Sequence, residues 1–375
     1  MAQLAPVPDP SSIRRRADAH PSRSDSRAAP LRIVALGGGT GLSTLLRGLR
    51  DLSASMQAAD PGSGGLDLAA IVTVTDDGGS SGRLRRDFAI LAPGDIRNCM
   101  VALAEDEALL SKLFQYRFRQ GRGLEGHSFG NLFLTALTEV TGDFHQAIQL
   151  SSEVLAIRGR IFPSTLMNVR LEAVMASGRS MVGETRITGS RDGIRRMRLR
   201  PRQCEPVAEA LEAIEQADLI TLGPGSLYTS VVPNLLVRGV TEALAASKAL
   251  KIYICNLMWE PGETDGYTAG DHLQAIFDHS QAGLADAILV NNSRIAPRVL
   301  RRYADQSARP VELDRERLEQ IVPRILEIDF AAKGPIVRHD SDRLAGLLVD
   351  LAVERRARSQ DNGEAARDAG AAATG

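Results

Sequence analysis

The sequence predicts an α/β fold with a mostly parallel central sheet. Two observations favour this fold: short apolar runs of strand length alternate with helical patterns, and each run ends in Gly, Asp, Asn or Ser. The runs lie at 31–36, 69–75, 218–222, 251–257 and 286–291. Because open α/β sheets bind ligands at the carboxyl ends of their strands, the loops after these runs are predicted to form one site.

Length and composition set the class of protein. A chain of 375 residues can bury a large core, and its 45 basic and 46 acidic residues give no field that favours nucleic acid or an anionic membrane. Cys99, Cys204 and Cys255 are far apart, which suggests neither a disulfide framework nor a zinc site and fits a reducing cytosol. No apolar stretch is long enough to span a bilayer. We therefore expect a cytoplasmic protein without a nucleic-acid partner; a homodimer stays open.

Both ends of the chain are predicted to lie outside the folded domain. Residues 1–30 are rich in Arg, Ser, Pro and Ala and lack the apolar region of a secretory signal. They are expected to be a disordered tail, with a basic arm for an acidic partner as the alternative. Residues 355–375 are expected to be a second disordered tail. Between them, 31–354 is predicted to be one α/β domain with an insertion at about 95–205.

The first apolar run leads into a glycine-rich turn. After 31–36 come Gly37, Gly38, Gly39, Thr40 and Gly41, and then a helix with leucines at 42, 45, 46 and 49. Such a turn points free amide N–H groups and the positive end of the helix dipole at one spot, which suits a phosphate. It is not the G-x-G-x-x-G fingerprint, since Leu42 takes the place of the last glycine, nor a P-loop, which needs a lysine. A tight turn that binds nothing is the alternative.

The second run ends in Asp76-Asp77-Gly78-Gly79-Ser80-Ser81-Gly82-Arg83. In nucleotide-binding sheets an acidic residue at this place accepts hydrogen bonds from ribose hydroxyls, so Asp76 or Asp77 is a candidate. Alternatively, the two carboxylates hold Mg²⁺ beside phosphates. The loop with Ser80 and Ser81 could form a second nest of amides, to which Arg83 adds charge-assisted bonds. An ordinary Asp-Gly turn explains the same residues.

The insertion is predicted to be helical and then to form a β-hairpin. Helices are expected at 96–104, 108–116, 128–140 and 144–156, and strands at 167–176 and 180–188 around a Ser-Gly-Arg turn. Asp95 is a candidate N-cap for the first of these helices. His127 and Asn131 are four apart and would share a helix face, although a lone histidine is more often structural.

The second half of the chain repeats the pattern of strands that end in polar loops. The run at 218–222 leads into Gly223-Pro224-Gly225-Ser226, and the run at 251–257 into a loop with the only tryptophan, Trp259. Helices are expected at 206–217, 233–246, 297–305 and from 341 onward, and short strands near 311, 325–328 and 336.

Six motifs stand in one order along the chain. They are Gly-Gly-Gly-Thr-Gly (37–41), Thr-Asp-Asp-Gly-Gly-Ser-Ser-Gly-Arg (75–83), Pro-Gly-Asp-Ile-Arg-Asn (93–98), Gly-His-Ser-Phe-Gly-Asn (126–131), Gly-Pro-Gly-Ser-Leu-Tyr-Thr-Ser (223–230) and Pro-Gly-Glu-Thr-Asp-Gly-Tyr-Thr (261–268). This set resembles the CofD-like superfamily, and within it the YvcK branch, whose members are often called gluconeogenesis factors. The likeness covers roughly residues 31 to 350.

The resemblance implies a Rossmann-like core and a cytosolic protein needed for normal cell shape on gluconeogenic carbon sources. It also implies binding of UDP-N-acetylglucosamine without turnover. In that branch the tyrosine of the Pro-Gly-Glu-Thr-Asp-x-Tyr motif touches the ligand, which maps to Tyr267. An arginine on a helix before a tyrosine also takes part, which matches Arg301 or Arg302.

Three functions follow as hypotheses. The first is a regulator that holds a nucleotide sugar on the amides of 37–41 and 223–226. The second is a Mg²⁺-dependent transferase like the 2-phospho-L-lactate transferase branch. The third is a plain dinucleotide binder, which Leu42 disfavours. No catalytic residue, metal ligand or certain cofactor is assigned, and the candidate ligand-binding residues are Gly37, Gly38, Gly39, Thr40, Gly41, Asp76, Asp77, Ser80, Ser81, Arg83, Asn131, Gly223, Gly225, Ser226, Tyr267, Arg301 and Arg302.

Overall fold

The computed structural model describes residues 29–105, 109–305, 307–332 and 334–372. The predicted tail at 1–30 lies outside these residues, apart from Ala29 and Pro30. Among the described helices, none combines the length and the apolar character needed to cross a bilayer. Cys99, Cys204 and Cys255 are buried free thiols.

The main sheet is parallel throughout. Its strands are β1 (Leu31–Gly37), β2 (Leu66–Val72), β3 (Arg160–Pro163), β7 (Leu219–Leu222), β8 (Leu250–Ile254), β9 (Ala287–Asn291) and β10 (Arg324–Ile328). They lie in the order β10-β9-β8-β7-β1-β2-β3, and every neighbouring pair is parallel. The predicted α/β fold with a mostly parallel sheet is confirmed, and the five predicted strands form its central block.

Helices flank this sheet. They are α1 (Gly39–Ala59), α2 (Gly79–Phe88), α3 (Gly94–Leu103), α4 (Leu109–Gln115), α5 (Phe129–Thr141), α6 (Phe144–Val154), α7 (Glu184–Thr188), α8 (Ala208–Gln216), α9 (Val232–Leu235), α10 (Val240–Ala246), α11 (Ala269–Asp278), α12 (Pro297–Ala304), α13 (Arg315–Ile321) and α14 (Ser341–Ala372). The predicted leucine stripe of α1 is fully buried. Burial of one such leucine contributes about 2 kcal/mol, so this helix is fixed firmly on the sheet.

The insertion predicted at about 95–205 departs from the prediction in two places: β3 lies within it but pairs with β2 in the main sheet, and its hairpin ends early. A second, antiparallel sheet contains β4 (Arg170–Met175), β5 (Ser180–Val182) and β6 (Ile194–Arg200), in the order β5-β4-β6. β4 and β5 form the predicted hairpin. The second hairpin strand was predicted to reach 188, which is wrong: β5 ends at Val182, and Glu184–Thr188 forms α7. Gly183, with φ +102, reverses the chain between the two, a backbone conformation that favours glycine.

Several predicted boundaries also change. The helix predicted at 233–246 is broken into α9 and α10 by Gly239, whose φ is +81. Near 311 and 336 the described chain makes isolated bridges instead of strands. Asp95 lies in the first turn of α3 and forms no side-chain cap, since Pro93 occupies the N-cap position. The backbone of α14 continues to Ala372, through a segment predicted to be a disordered tail, and the many alanines there favour helix.

Candidate functional site

The two glycine loops that follow β1 and β7 meet at the topological switch point of the sheet. From β1 the sheet extends through β2 and β3 on one side and through β7 to β10 on the other. Open α/β proteins bind ligands in the crevice that forms between the carboxyl ends of two such strands. Here the N–H of Gly223 donates to the carbonyl of Leu36 at 2.8 Å, which ties the two loops together where the strands end.

Glycine is required at position 41 by this close approach. A Cβ on Gly41 would lie 2.7 Å from the carbonyl oxygen of Pro224 and 2.9 Å from the nitrogen of Gly225. A Cβ on Gly225 would in turn come within 3.3 Å of the carbonyl oxygen of Gly38. The loops therefore pack backbone against backbone, and main-chain groups, not side chains, form this wall of the site.

A cleft of about 590 Å³ opens beside these loops. It is lined by Gly38, Gly39, Thr40, Gly41, Thr44, Asp76, Asp95, Asn98, Glu184, Gly225, Ser226, Thr229, Ser230, Asn256, Leu257, Met258, Trp259, Glu260, Tyr303, Val337, Arg338 and His339. Seven of the predicted site residues are in this set: Gly38, Gly39, Thr40, Gly41, Asp76, Gly225 and Ser226. The structure thus brings the first and third glycine loops together with one acidic residue of the second.

The amino end of α1 faces this cleft. Gly38 is the N-cap of α1 and has no side chain with which to cap the helix. The first-turn amides therefore depend on other acceptors, and the carboxyl group of Asp95 accepts the N–H of Gly39. Asp95 thus lies where an anion would bind at the end of this helix.

Carboxyl groups also line the cleft. Among the described lining residues, the acidic ones are Asp76, Asp95, Glu184 and Glu260. Burial, reinforced by Asp76, raises the pKa of Asp95 to about 7. Burial and the neighbouring carboxyls Asp76 and Asp95 raise the pKa of Glu184 to about 9. Burial also raises the pKa of Glu260 to about 7, against a hydrogen bond from Ser226 that favours the ionised form. At neutral pH the cleft is therefore much less negative than four ionised carboxylates would make it.

The segment after β10 also lines the cleft, through Val337, Arg338 and His339. The hydroxyl of Tyr303 on α12 accepts the N–H of Val337 at 3.0 Å, and Arg302 donates to the carbonyl of Pro335 at 3.2 Å. His339 stacks on Phe330 with ring centroids 5.3 Å apart, and burial lowers its pKa to about 4, so it is neutral.

Arg338 supplies positive charge to this side of the cleft. It is the only Lys or Arg among the described residues that line the cleft. Sequence reasoning missed Arg338 and His339 and did not assign Tyr303 to the site. The one signal it noted was the Arg301-Arg302-Tyr303 cluster on α12.

The rest of the second loop turns away from the cleft. Asp77 accepts hydrogen bonds from the N–H and hydroxyl of Thr185, at 2.9 and 2.7 Å. Ser80 is buried between His127 Nδ1 at 3.0 Å and Asn131 Nδ2 at 3.2 Å. Arg83 donates to the carbonyl of Glu125 at 2.7 Å. These side chains attach α2 to the helical insertion.

The remaining predicted residues also lie outside the lining. Gly37 and Gly223 shape the strand ends, and Ser81 is buried next to Gly94. The hydroxyl of Tyr267 is 2.8 Å from that of Tyr228, and its carbonyl accepts the indole N–H of Trp259 at 2.9 Å. Tyr267 therefore supports the lining residue Trp259 from behind. Arg301 is exposed and Arg302 holds Pro335, so neither lines the cleft.

Fold and site together define an open α/β protein in which two glycine loops, 37–41 and 223–226, form a main-chain cradle at the switch point of the sheet. Comparison with known proteins gives the family. The family described as "2-phospho-L-lactate transferase CofD" matches residues 33–331. The gluconeogenesis factor of Bacillus subtilis is 46% identical over 324 residues, 86% of this chain and 98% of that protein. The gluconeogenesis factor of Halalkalibacterium halodurans is 46% identical over 319 residues, 85% of this chain and 95% of that protein.

A solved structure agrees with these relatives. The crystal structure of a protein from Bacillus halodurans superposes with a TM-score of 0.81 at 45% identity and covers 85% of this chain and 99% of that one. The chain therefore belongs to the CofD family, and the relatives it matches are named gluconeogenesis factors.

Proposed function

We propose that this protein binds a nucleoside-diphosphate sugar of the UDP-N-acetylglucosamine type in the cleft at the switch point. In this proposal it acts in the cytoplasm as a regulator of cell shape during growth on gluconeogenic carbon sources. The observation that carries the binding proposal is the meeting of two glycine loops, 37–41 and 223–226, around one cleft. Main-chain amides and a helix amino end suit the two phosphates of such a ligand.

The cleft can accept an anionic ligand only if some of its lining carboxyl groups are protonated. A diphosphate near four ionised carboxylates would be repelled, but Asp95 and Glu260 have pKa values raised to about 7 and Glu184 to about 9. A bound diphosphate would favour their protonated forms further. Arg338, in the lining of the same cleft, offers a positive charge to the ligand.

The volume of the cleft also fits. Sites for small molecules span about 300–1,000 Å³, and 590 Å³ lies in the middle of this range. Apolar lining residues such as Leu257, Met258 and Trp259 stand beside the polar loops, so a base or sugar ring can pack next to the phosphates.

Calorimetric titration tests the proposal. Purified protein is titrated with UDP-N-acetylglucosamine, UDP and NAD, and each mixture is then analysed for products. We expect saturable binding of the nucleotide sugar, weaker binding of NAD and an unchanged ligand after incubation. Preference for NAD, or no binding of either uridine nucleotide, would contradict the proposal.

A Mg²⁺-dependent transferase is the second candidate, since the matching family is described as a transferase and carboxyl groups line the cleft. The predicted metal pair does not fit, because Asp77 bonds to Thr185 and only Asp76 faces the cleft. Within the described ranges, no group of three or more His, Cys, Asp or Glu is placed to hold a metal ion. Repeating the incubation with Mg²⁺ and with a chelator distinguishes the two, since metal-dependent consumption of the nucleotide would favour the transferase.

A further inference from the structure

Two oxygen atoms at the cleft are buried without a partner. The side-chain oxygen Oδ1 of Asn256 and Oε2 of Glu260 are shielded from solvent, and neither has a hydrogen-bond partner in the described part of the chain. Both residues line the cleft, in the loop that follows β8. A buried acceptor left unpaired is costly, and native proteins keep few of them, so each calls for an explanation.

These acceptors lie next to the proposed phosphate site. The hydroxyl of Ser226, in the third glycine loop, bonds to the carboxyl group of Glu260. Glu260 is therefore one side chain away from the main-chain cradle. A group attached to a diphosphate held by the third loop would therefore lie within reach of Glu260.

An apolar surface accompanies the acceptors. Met258 and Trp259 line the cleft between Asn256 and Glu260 in sequence. The indole of Trp259 is fixed by its N–H bond to the carbonyl of Tyr267, and its backbone N–H donates to the carbonyl of Arg309 at 2.8 Å. A rigid aromatic face beside unpaired acceptors is suited to a ring that carries hydroxyl or amide donors.

We propose that Asn256 and Glu260 form a specificity site that accepts an uncharged, hydroxyl- or amide-bearing group on the outer phosphate and rejects a third phosphate. This inference rests on the proposed function and adds to it the residues that distinguish a sugar conjugate from a bare nucleotide. Donors on the ligand satisfy the two unpaired oxygens. A third phosphate has only acceptor oxygens at neutral pH, so it cannot donate to the oxygen of Asn256, and it would place further negative charge beside the ionised fraction of Glu260, which is unfavourable.

The ionisation of Glu260 agrees with this role. Burial raises its pKa, which favours the uncharged acid. The uncharged acid both donates and accepts a hydrogen bond, as a glutamine does. Glu260→Gln should therefore keep most of the discrimination that Glu260→Ala removes.

The test compares three ligands across matched variants. UDP, UDP-N-acetylglucosamine and UTP are titrated into the wild type, Asn256→Ala, Glu260→Ala and Glu260→Gln, with thermal unfolding as a check on folding. Thr221→Val is the control, because the hydroxyl of Thr221 is also buried without a partner in the described part of the chain but does not line the cleft. We expect the wild type to prefer the sugar conjugate over UDP and UTP by about tenfold or more, as for sites that pair buried polar groups with a ligand.

In Glu260→Ala and Asn256→Ala this preference should fall by about tenfold while the affinity for UDP changes little. Glu260→Gln and Thr221→Val should keep the preference within about threefold. If the wild type binds UDP and the sugar conjugate equally, the inference is overturned and the proposed function stands. If Glu260→Ala lost the same factor of affinity for UDP and for its sugar conjugate, the inference would also be overturned. If no uridine nucleotide binds the wild type, the proposed function fails and the inference fails with it.

Discussion

The first and second glycine loops have similar compositions and follow neighbouring strands, yet they do different things. In the first, residues 37–41, the backbone stays open to the cleft and touches the third loop. In the second, residues 76–83, the side chains bond to the insertion, and only Asp76 reaches the cleft. A Cβ on Gly82 would lie 1.8 Å from the carbonyl of Asp77, so glycine there serves packing. Glycine in both loops therefore allows two main-chain segments to approach closely. In the first loop this approach shapes the cleft, and in the second loop it stabilises the packing of α2.

Gly82→Ala should show the structural role of the second loop. The added methyl group collides with the carbonyl of Asp77, which is backbone and cannot yield cheaply. We expect the free energy of unfolding to fall by about 3 kcal/mol, measured by denaturant titration. Gly346→Ala in α14 is the control, since its Cβ meets open space, and it should be neutral or stabilising by up to about 1 kcal/mol. Equal stabilities of the two variants would contradict this role.

Gly41→Ala should show the binding role of the first loop. Its methyl group would push the carbonyl of Pro224 away and separate the two halves of the cradle. Loss of one or two hydrogen bonds to a charged phosphate costs about 1.5–3 kcal/mol each, so we expect the affinity for UDP-N-acetylglucosamine to fall on the order of 100-fold by calorimetry. If a folded Gly41→Ala protein bound the ligand as tightly as the wild type, the cradle would not be the phosphate site.

Arg338→Ala should show whether the arginine that lines the cleft matters more for binding than Arg301 and Arg302, the arginines predicted from the sequence. Loss of one charge-assisted bond to a phosphate should weaken binding of both UDP and its sugar conjugate about tenfold. Arg301→Ala is the matched control, because Arg301 is exposed and does not line the cleft. A larger loss for Arg301→Ala than for Arg338→Ala would favour the role that the family resemblance implies for the arginine on α12.

Tyr267 remains a predicted ligand contact that the structure places behind the lining. Tyr267→Ala is expected to weaken binding of UDP-N-acetylglucosamine severalfold through loss of the ring alone, since the main-chain carbonyl that accepts the indole N–H of Trp259 is kept. Tyr228→Phe removes only the hydrogen bond shared by the two hydroxyls and should cost about 1 kcal/mol of stability with little change in affinity. Unchanged affinity in Tyr267→Ala would count against any role in binding.

The last expected effect is a dependence of stability on pH. The folded protein keeps a proton on Glu184 up to a pKa of about 9, whereas the unfolded chain loses it near the ordinary value of 4.5. The folded state therefore binds more protons between these values, and the free energy of unfolding falls as the pH rises from about 5 to 9. Glu184→Gln should flatten this slope in denaturant titrations at several pH values. A slope that is unchanged in the variant would show that other groups cause it.

The sequence predicts the main sheet well because its strands are short apolar runs that end in polar loops, as at 31–36 and 218–222. The leucine period of α1 and the family motifs also identify the two glycine loops, 37–41 and 223–226, from the sequence alone. The sequence does not reveal Arg338 or His339, since the segment that carries them has no periodicity and is held by single contacts such as Tyr303 to Val337. Nor does it show that Ser80 points to His127 and not to the cleft, because that depends on how the insertion packs.

Amide hydrogen exchange, with and without UDP-N-acetylglucosamine, tests the central claim most directly. If main-chain N–H groups of the first and third loops hold the diphosphate, the ligand slows exchange in peptides that cover 38–44 and 223–230. Peptides that cover 77–83 change little. Protection at 77–83 without protection at 38–44 would contradict the account.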